Sequence, residues 1–248
     1  MVYKRVILKR GKEESLKRFH PWVFSGAIAR MDNIEEGDLV TVYDHEGNLI
    51  GNGHYQIGSI AVRILTFDDT EIDSAFFVKR LTEAYKMRQA LGLSRPDNNA
   101  FRLVHGEGDF LPGLVVDIYG STAVMQAHSP GMHFARNLIA DALTQLPNGV
   151  VKNVYYKSET TLPYKAQLDP QNEYIVGVYD TDVAMENGLK FHVDWLRGQK
   201  TGFFVDQREN RSLLEHYATG RKVLNMFCYT GGFSFYALRG GAELVHSV

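Results

Sequence analysis

The chain has 248 residues, of which 44% are hydrophobic and 23% charged, and its formal net charge is −2. That balance excludes a disordered or fibrous chain, and at about 150 residues per domain the length fits one large domain or two to three small ones. No stretch approaches the roughly 18 apolar residues that span a bilayer, and Met1–His20 has no apolar core of a secretory signal. The one cysteine, Cys228, excludes an internal disulfide and a zinc site built on paired cysteines, so the features together point to a soluble, cytoplasmic protein with no membrane partner.

Residues 1–30 hold eight Lys/Arg against Glu13 and Glu14, a net of +6, so the rest of the chain carries −8. A basic patch on a mildly acidic body points to a polyanion contact at one end; the plainer alternative is a solvated face that binds nothing. Val6–Leu8, Leu39–Tyr43, the Gly-punctuated Leu49–Tyr55 and Ile60–Leu65 read as strands, with Asp44–Asn48 as turn chemistry between two of them. Short strands at this spacing suggest a compact barrel. Phe67–Asp73 reads as its exit linker.

Residues 74–92 change period: Phe77, Leu81, Ala84, Tyr85, Arg88 and Leu91 recur at helical spacing, and Gly92 and Pro96 end the run. Strands are predicted near Phe101–Val104, Leu114–Tyr119, Ala123–Ala127 and Val151–Lys157. A helix opening at Pro130 is predicted to set Phe134, Leu138, Ile139, Ala142 and Leu143 on one face. After residue 183 come a strand at Leu189–Val193, a helix over Arg208–Tyr217 for which Asp206 suits the N-cap, a strand at Val223–Phe227, a helix over Phe233–Arg239 and a strand at Glu243–Val248. Strand–helix–strand over so short a stretch is a βαβ unit with parallel strands.

The turn Cys228-Tyr229-Thr230-Gly231-Gly232 carries the most information. Glycines admit a ligand close to the backbone, and the helix that follows offers free N–H groups to an anionic or polar group. In open α/β sheets, nucleotides bind in this crevice. Neither G-x-G-x-x-G nor a phosphate loop is present, and many such turns carry glycine for packing alone.

Asn225–Ser234 resembles motif I of class I S-adenosylmethionine-dependent methyltransferases, and within them that of the bacterial large-subunit ribosomal RNA cytosine-5 methyltransferases with an N-terminal PUA domain. His20–Gly26, Arg102–Asp109 with Leu111–Leu114, Glu186–Phe191 and Gly198–Arg211 resemble the same family in the same order. The resemblance implies a mixed α/β and α+β multidomain chain: a PUA-like β-barrel over residues 1–70, a central α+β domain over 71–182, and the start of a Rossmann-type methyltransferase domain over 183–248. It implies S-adenosylmethionine as cofactor and ribosomal RNA as partner. Carried over by position, Thr201, Asp206 and Arg208 would lie against the cofactor pocket. Asn225, Phe227, Cys228, Tyr229, Thr230, Gly231 and Gly232 would wrap the methionine end. Asn225 stands where the family commonly has Asp, and an amide cannot pair with the cofactor's amino group as a charge.

Methylation at cytosine C5 needs a nucleophile that adds to C6. The family's cysteine lies in later strands, so no catalytic residue is expected in this chain. The acidic residue that holds the cofactor ribose is likewise expected after Val248. The chain then reads as an inactive N-terminal fragment or, alternatively, as a homodimer that exchanges exposed elements. Cys228 reads as a wall of the methionine pocket or as a small packing residue.

RNA contacts are expected from Arg5, Arg10, Lys12, Lys17 and Arg18 through counterion release, with His20 and Trp22 beside them. Trp22 is either a stacking platform or a core residue that anchors the barrel. His105, Glu107 and Asp109 alternate as metal ligands can, but Gly106 and Gly108 favour a turn, and no metal is expected. A non-catalytic RNA-binding module built on the barrel is the alternative function.

Overall fold

The computed structural model describes residues 3–179 and 183–248. The domain boundary expected after residue 182 falls outside the described residues. The first unit is one six-stranded sheet built from β1 (Lys4–Leu8), β2 (Trp22–Phe24), β3 (Ile28–Met31), β4 (Leu39–Tyr43), β5 (Leu49–Tyr55) and β6 (Ile60–Thr66) in the order β2-β6-β5-β4-β1-β3. Only the β1–β4 pair is parallel. The sheet curls without a closing ladder, because the edges β2 and β3 are joined by the turn Ser25–Ala27. Its core buries Val6, Leu8, Val40, Val42 and Ile64, the β-branched and aliphatic residues of the predicted strands, together with Leu16 from the 3₁₀ turn Leu16–Arg18. Sequence reading missed β2 and β3, which are short and carry few buried side chains.

Next come α1 (Ser74–Ala90), β7 (Ala100–His105), β8 (Leu114–Tyr119), β9 (Thr122–Ala127), α2 (Pro130–Phe134), α3 (Arg136–Thr144), β10 (Asn153–Tyr156) and β11 (Glu173–Val176). Asp73 caps α1 by accepting the Phe76 N–H at 2.9 Å. The five strands form a sheet in the order β11-β10-β9-β8-β7, antiparallel except for β9–β10. Their side chains alternate between two cores, as strand geometry requires. Val116, Ile118, Ala123, Met125, Val154 and Tyr156 meet α1 and α3 on one face. Tyr119, Val124 and Tyr155 face the other way, onto Trp195, Phe203 and Tyr236.

The single helix expected from Pro130 is two. The break at Ala135 rephases the helix, so Ile139, Ala140, Ala142 and Leu143 point inward, whereas Phe134 and Leu138 are 51% and 42% exposed. The first unit packs on α2 through His54. A Cβ on Gly131 would fall 2.1 Å from the His54 ring, so only glycine allows this approach.

The remainder comprises the hairpin β12 (Ala184–Glu186) and β13 (Leu189–Phe191), then α4 (Arg208–Tyr217), β14 (Lys222–Asn225), α5 (Gly232–Arg239) and β15 (Leu244–Ser247). β14 and β15 pair in parallel, with Val223 opposite Val245, and form the expected βαβ unit. Asn187-Gly188, both at positive φ, closes the hairpin, the strongest short-range hairpin signal in the chain and one the sequence reading passed over. α4 begins at Arg208, after a 3₁₀ turn over Val205–Gln207, and no side chain caps it. Asp206 is therefore not the N-cap, since it lies inside that turn and its carboxylate accepts from Gln207 Nε2 at 3.2 Å.

Candidate functional site

β14 delivers the chain into the turn before α5. Phe227 and Tyr229 take left-handed φ of 59° and 48°, and Gly231 takes 72°. Left-handed backbone is costly for side-chain-bearing residues and collects where a fold is organised around a site. The turn is held from within. Cys228, half-buried, donates its N–H to Val248 O at 2.9 Å and accepts the Gly231 N–H at 2.7 Å. Asn225 Nδ2 donates to Ser234 Oγ at 2.7 Å, and Ser234 Oγ lies 2.7 Å from Ser247 Oγ, so Asn225 ties β14 to α5 and β15. What the turn presents outward is different in kind: the Phe227 ring, 91% exposed, the half-buried Thr230, and the first N–H groups of α5 at its positive dipole end.

A second loop, Gly198–Gly202, is bound to this turn. The Tyr229 hydroxyl accepts the Gln199 N–H at 2.9 Å and donates to Gly202 O at 3.2 Å. A Cβ on Gly198 would fall 2.3 Å from Asp194 O and 2.7 Å from that hydroxyl. Lys200, between them, is left-handed at φ 53°. Three non-glycine residues in left-handed backbone thus lie in two loops that touch.

The predicted pocket residues around this loop separate. Thr201 is buried. It donates to Asp117 Oδ2 at 2.5 Å and lies 2.9 Å from the Tyr119 hydroxyl, while Arg102 grips the same Asp117 through two bonds of 2.9 Å. Arg208 is buried too, donating to Ala100 O and lying 3.5 Å from Glu186. Burial holds its pKa below the usual guanidinium range. Its neighbour Arg211 forms a bidentate pair with Glu186 at 2.7 Å and stacks over Phe203. Thr201 and Arg208 therefore join the last unit to the central sheet, and Asp206 stays on the surface. Sequence reading assigned none of Thr201, Glu186, Arg208 and Arg211 to this junction.

The expected RNA-facing residues lie on the six-stranded sheet and the loops between its strands. Arg10, Lys12 and Arg18 are exposed. Arg5 is engaged by Asp32, 3.5 Å from its Nε, and Lys17 lies 3.5 Å from Glu14, so part of the +6 is neutralised locally. His20 is exposed with its ring edge-on to Trp22 at 5.4 Å. Trp22 is neither a free platform nor a core residue. It is half-buried, and its indole donates to Glu107 Oε1 at 2.8 Å, clasping the sheet to the turn after β7. In that turn Asp109 is buried against Arg88, so His105, Glu107 and Asp109 do not converge.

Residues 6–67 match the PUA-like domain, and residues 120–248 match the S-adenosylmethionine-dependent methyltransferase family. Curated relatives named ribosomal RNA large subunit methyltransferase I include those of Alteromonas mediterranea, 42% identical over 98% of this chain, and Klebsiella pneumoniae, 38% identical over all of it. The chain spans about 62% of the length of these relatives. A solved chain assigned as a SAM-dependent methyltransferase from Streptococcus mutans superposes with a TM-score of 0.77 at 23% identity, over 100% of this chain and 63% of that one, and shares the fold. A methyltransferase structure complexed with SAH has the same TM-score and identity and covers 62% of its own chain. With a PUA-like domain ahead of a match that takes in more than half of its residues, the chain belongs to the S-adenosylmethionine-dependent methyltransferase family.

Proposed function

We propose that the chain is the RNA-binding and cofactor-binding part of a cytoplasmic methyltransferase that modifies a cytosine, at C5, of large-subunit ribosomal RNA. Residues 1–70 would bind RNA, 71–182 would hold the two ends together, and 183–248 would bind S-adenosylmethionine, which supplies the methyl group. The observation that carries this reading is the continuous match, at 38–42% identity, to relatives named as methyltransferases of that RNA.

The turn fits the cofactor by the chemistry of its donors. The start of α5 offers N–H groups and a positive dipole end to the carboxylate, and Phe227 offers an exposed ring face. Thr230, Gly231 and Gly232 lie between them, with Cys228 and Tyr229 as walls. Asn225 acts by fixing the turn through Ser234. Arg10, Lys12 and Arg18, with His20 beside them, supply the RNA-facing charge, and Arg5 and Lys17 add to it when RNA displaces their carboxylate partners. Cys228 serves as a wall of the turn and not as the nucleophile.

Calorimetry with S-adenosylhomocysteine and filter binding with large-subunit RNA, on the full-length protein, test the reading. Both ligands are expected to bind. Neutralising Lys17 and Arg18 should flatten the slope of log K against log salt by roughly 1.4 for single-stranded RNA, about 0.7 per phosphate released. RNA binding without S-adenosylhomocysteine binding would leave the non-catalytic RNA-binding module as the function.

A further inference from the structure

Next to the cofactor turn is a cleft of about 530 Å³, lined among others by Gln126, His128, Lys157, Asn172, Gln199 and Lys200. One loop, Gly198–Gly202, separates the two. Lys157 holds it from the cleft side by donating from Nζ to Gly198 O at 2.5 Å. Tyr229 holds it from the turn side, through Gln199 N and Gly202 O. Whatever sits in the cleft is therefore one loop away from whatever sits in the turn.

The lining chemistry selects an anion with hydrogen-bonding edges. Lys157 and Lys200 bring two positive charges. Glu159, on the same wall, is engaged by Asn172, whose Nδ2 donates to it at 2.9 Å. Burial, with the neighbouring charges of Arg102 and Lys200, lowers the His128 pKa, so this ring is neutral at pH 7 and offers hydrogen bonds and not charge. Gln126 and Gln199 carry amides that can both donate and accept.

Two further features lead a strand to this place. His128 also lines a smaller cleft of about 220 Å³ with Arg63, which lies on β6 of the PUA-like sheet, so the larger cleft borders, across His128, one that reaches that sheet. The loop that continues from Thr161 carries Tyr164, 95% exposed, followed by Lys165. An exposed aromatic beside a base is the pairing that stacks single-stranded nucleic acid.

We propose that this cleft seats the nucleotide of the RNA strand that is presented to the cofactor turn, with Lys157 and Lys200 on its phosphates, the amides of Gln126 and Gln199 on its base edge, and Tyr164 stacking a neighbouring base. The inference rests on the RNA methyltransferase reading above and adds the place where the substrate enters.

The test uses single-stranded RNA of large-subunit sequence containing 4-thiouridine. It is photocrosslinked to the full-length protein in the presence of S-adenosylhomocysteine, and the adducts are mapped by mass spectrometry. Crosslinks within Lys157–Lys165 and at Gln199–Lys200, with RNA binding weakened about tenfold in Lys200→Glu, support the cleft. Gln126→Ala, which breaks no tie between the loops, should weaken binding less and serves if Lys200→Glu does not fold. Crosslinks confined to Arg10–Phe24, with unchanged RNA affinity in both variants, overturn the cleft and leave the methyltransferase reading standing. Failure of the wild-type protein to bind either RNA or S-adenosylhomocysteine overturns both.

Discussion

The junction under α4 and the turn before α5 invert the usual distribution of residue types. At the junction, Glu186 is fully buried with Arg208 and Arg211 around it, and the Tyr236 hydroxyl donates to it at 3.0 Å. In the turn before α5, the Phe227 ring stands 91% exposed. Buried charge is stable only when every partner is present, whereas an exposed ring gains nothing from the fold that holds it. The charged helix start thus ties the last unit to the central sheet, whereas what the turn presents to solvent is backbone and an aromatic ring.

Breaking the junction should produce the largest effect. Glu186→Gln keeps the shape but leaves Arg211 and Arg208 without a counter-charge, and should cost about 3–5 kcal/mol in urea denaturation. A loss within 1 kcal/mol would show the junction to be less dry than its burial implies.

The same rule applies to His54, buried between the PUA-like sheet and α2, where burial pushes its pKa from 6.5 down to about 4. The unfolded chain binds the proton more readily. Stability is therefore unaffected above pH 6.5, falls between 6.5 and about 4, and loses nothing more from this group below that. The full loss is about 3 kcal/mol. Urea midpoints measured from pH 7.5 to 4.5 should fall more steeply for the wild type than for His54→Gln. Parallel curves would place the titration elsewhere.

At the other pole, Phe227→Ala should change stability by no more than about 0.5 kcal/mol while weakening S-adenosylhomocysteine binding roughly three- to tenfold. A stability loss comparable to that of Glu186→Gln would erase the distinction between the two regions.

What could be read in advance follows the same division. The strands Leu39–Tyr43 and Leu49–Tyr55 and the helix Arg208–Tyr217 have the bounds expected from local pattern, because residue type and bounding turn residues are local signals. Which side chains they bury was not legible, since both strands are buried over consecutive residues and α4 buries Arg208 and Arg211 while Leu213 and Tyr217 stay exposed. The βαβ unit was legible for the same reason. The destinations of Thr201 and Arg208 were not: their partners Asp117 and Ala100 are 84 and 108 residues away, and no local pattern encodes such a pairing. Trp22 likewise depends on Glu107, 85 residues on. The hairpin at Asn187-Gly188 had a readable signal, hidden by strands of only three residues each.

The clasp between Trp22 and Glu107 has an optical consequence. The chain has two tryptophans. Trp195 is 1% exposed and donates to the Tyr174 hydroxyl at 2.8 Å. Trp22 sits half in water at the seam between two units. An aqueous quencher such as iodide therefore darkens Trp22 first, and the residual blue-shifted emission belongs to Trp195. One fluorescence spectrum then follows the seam and the interior separately, with no label added.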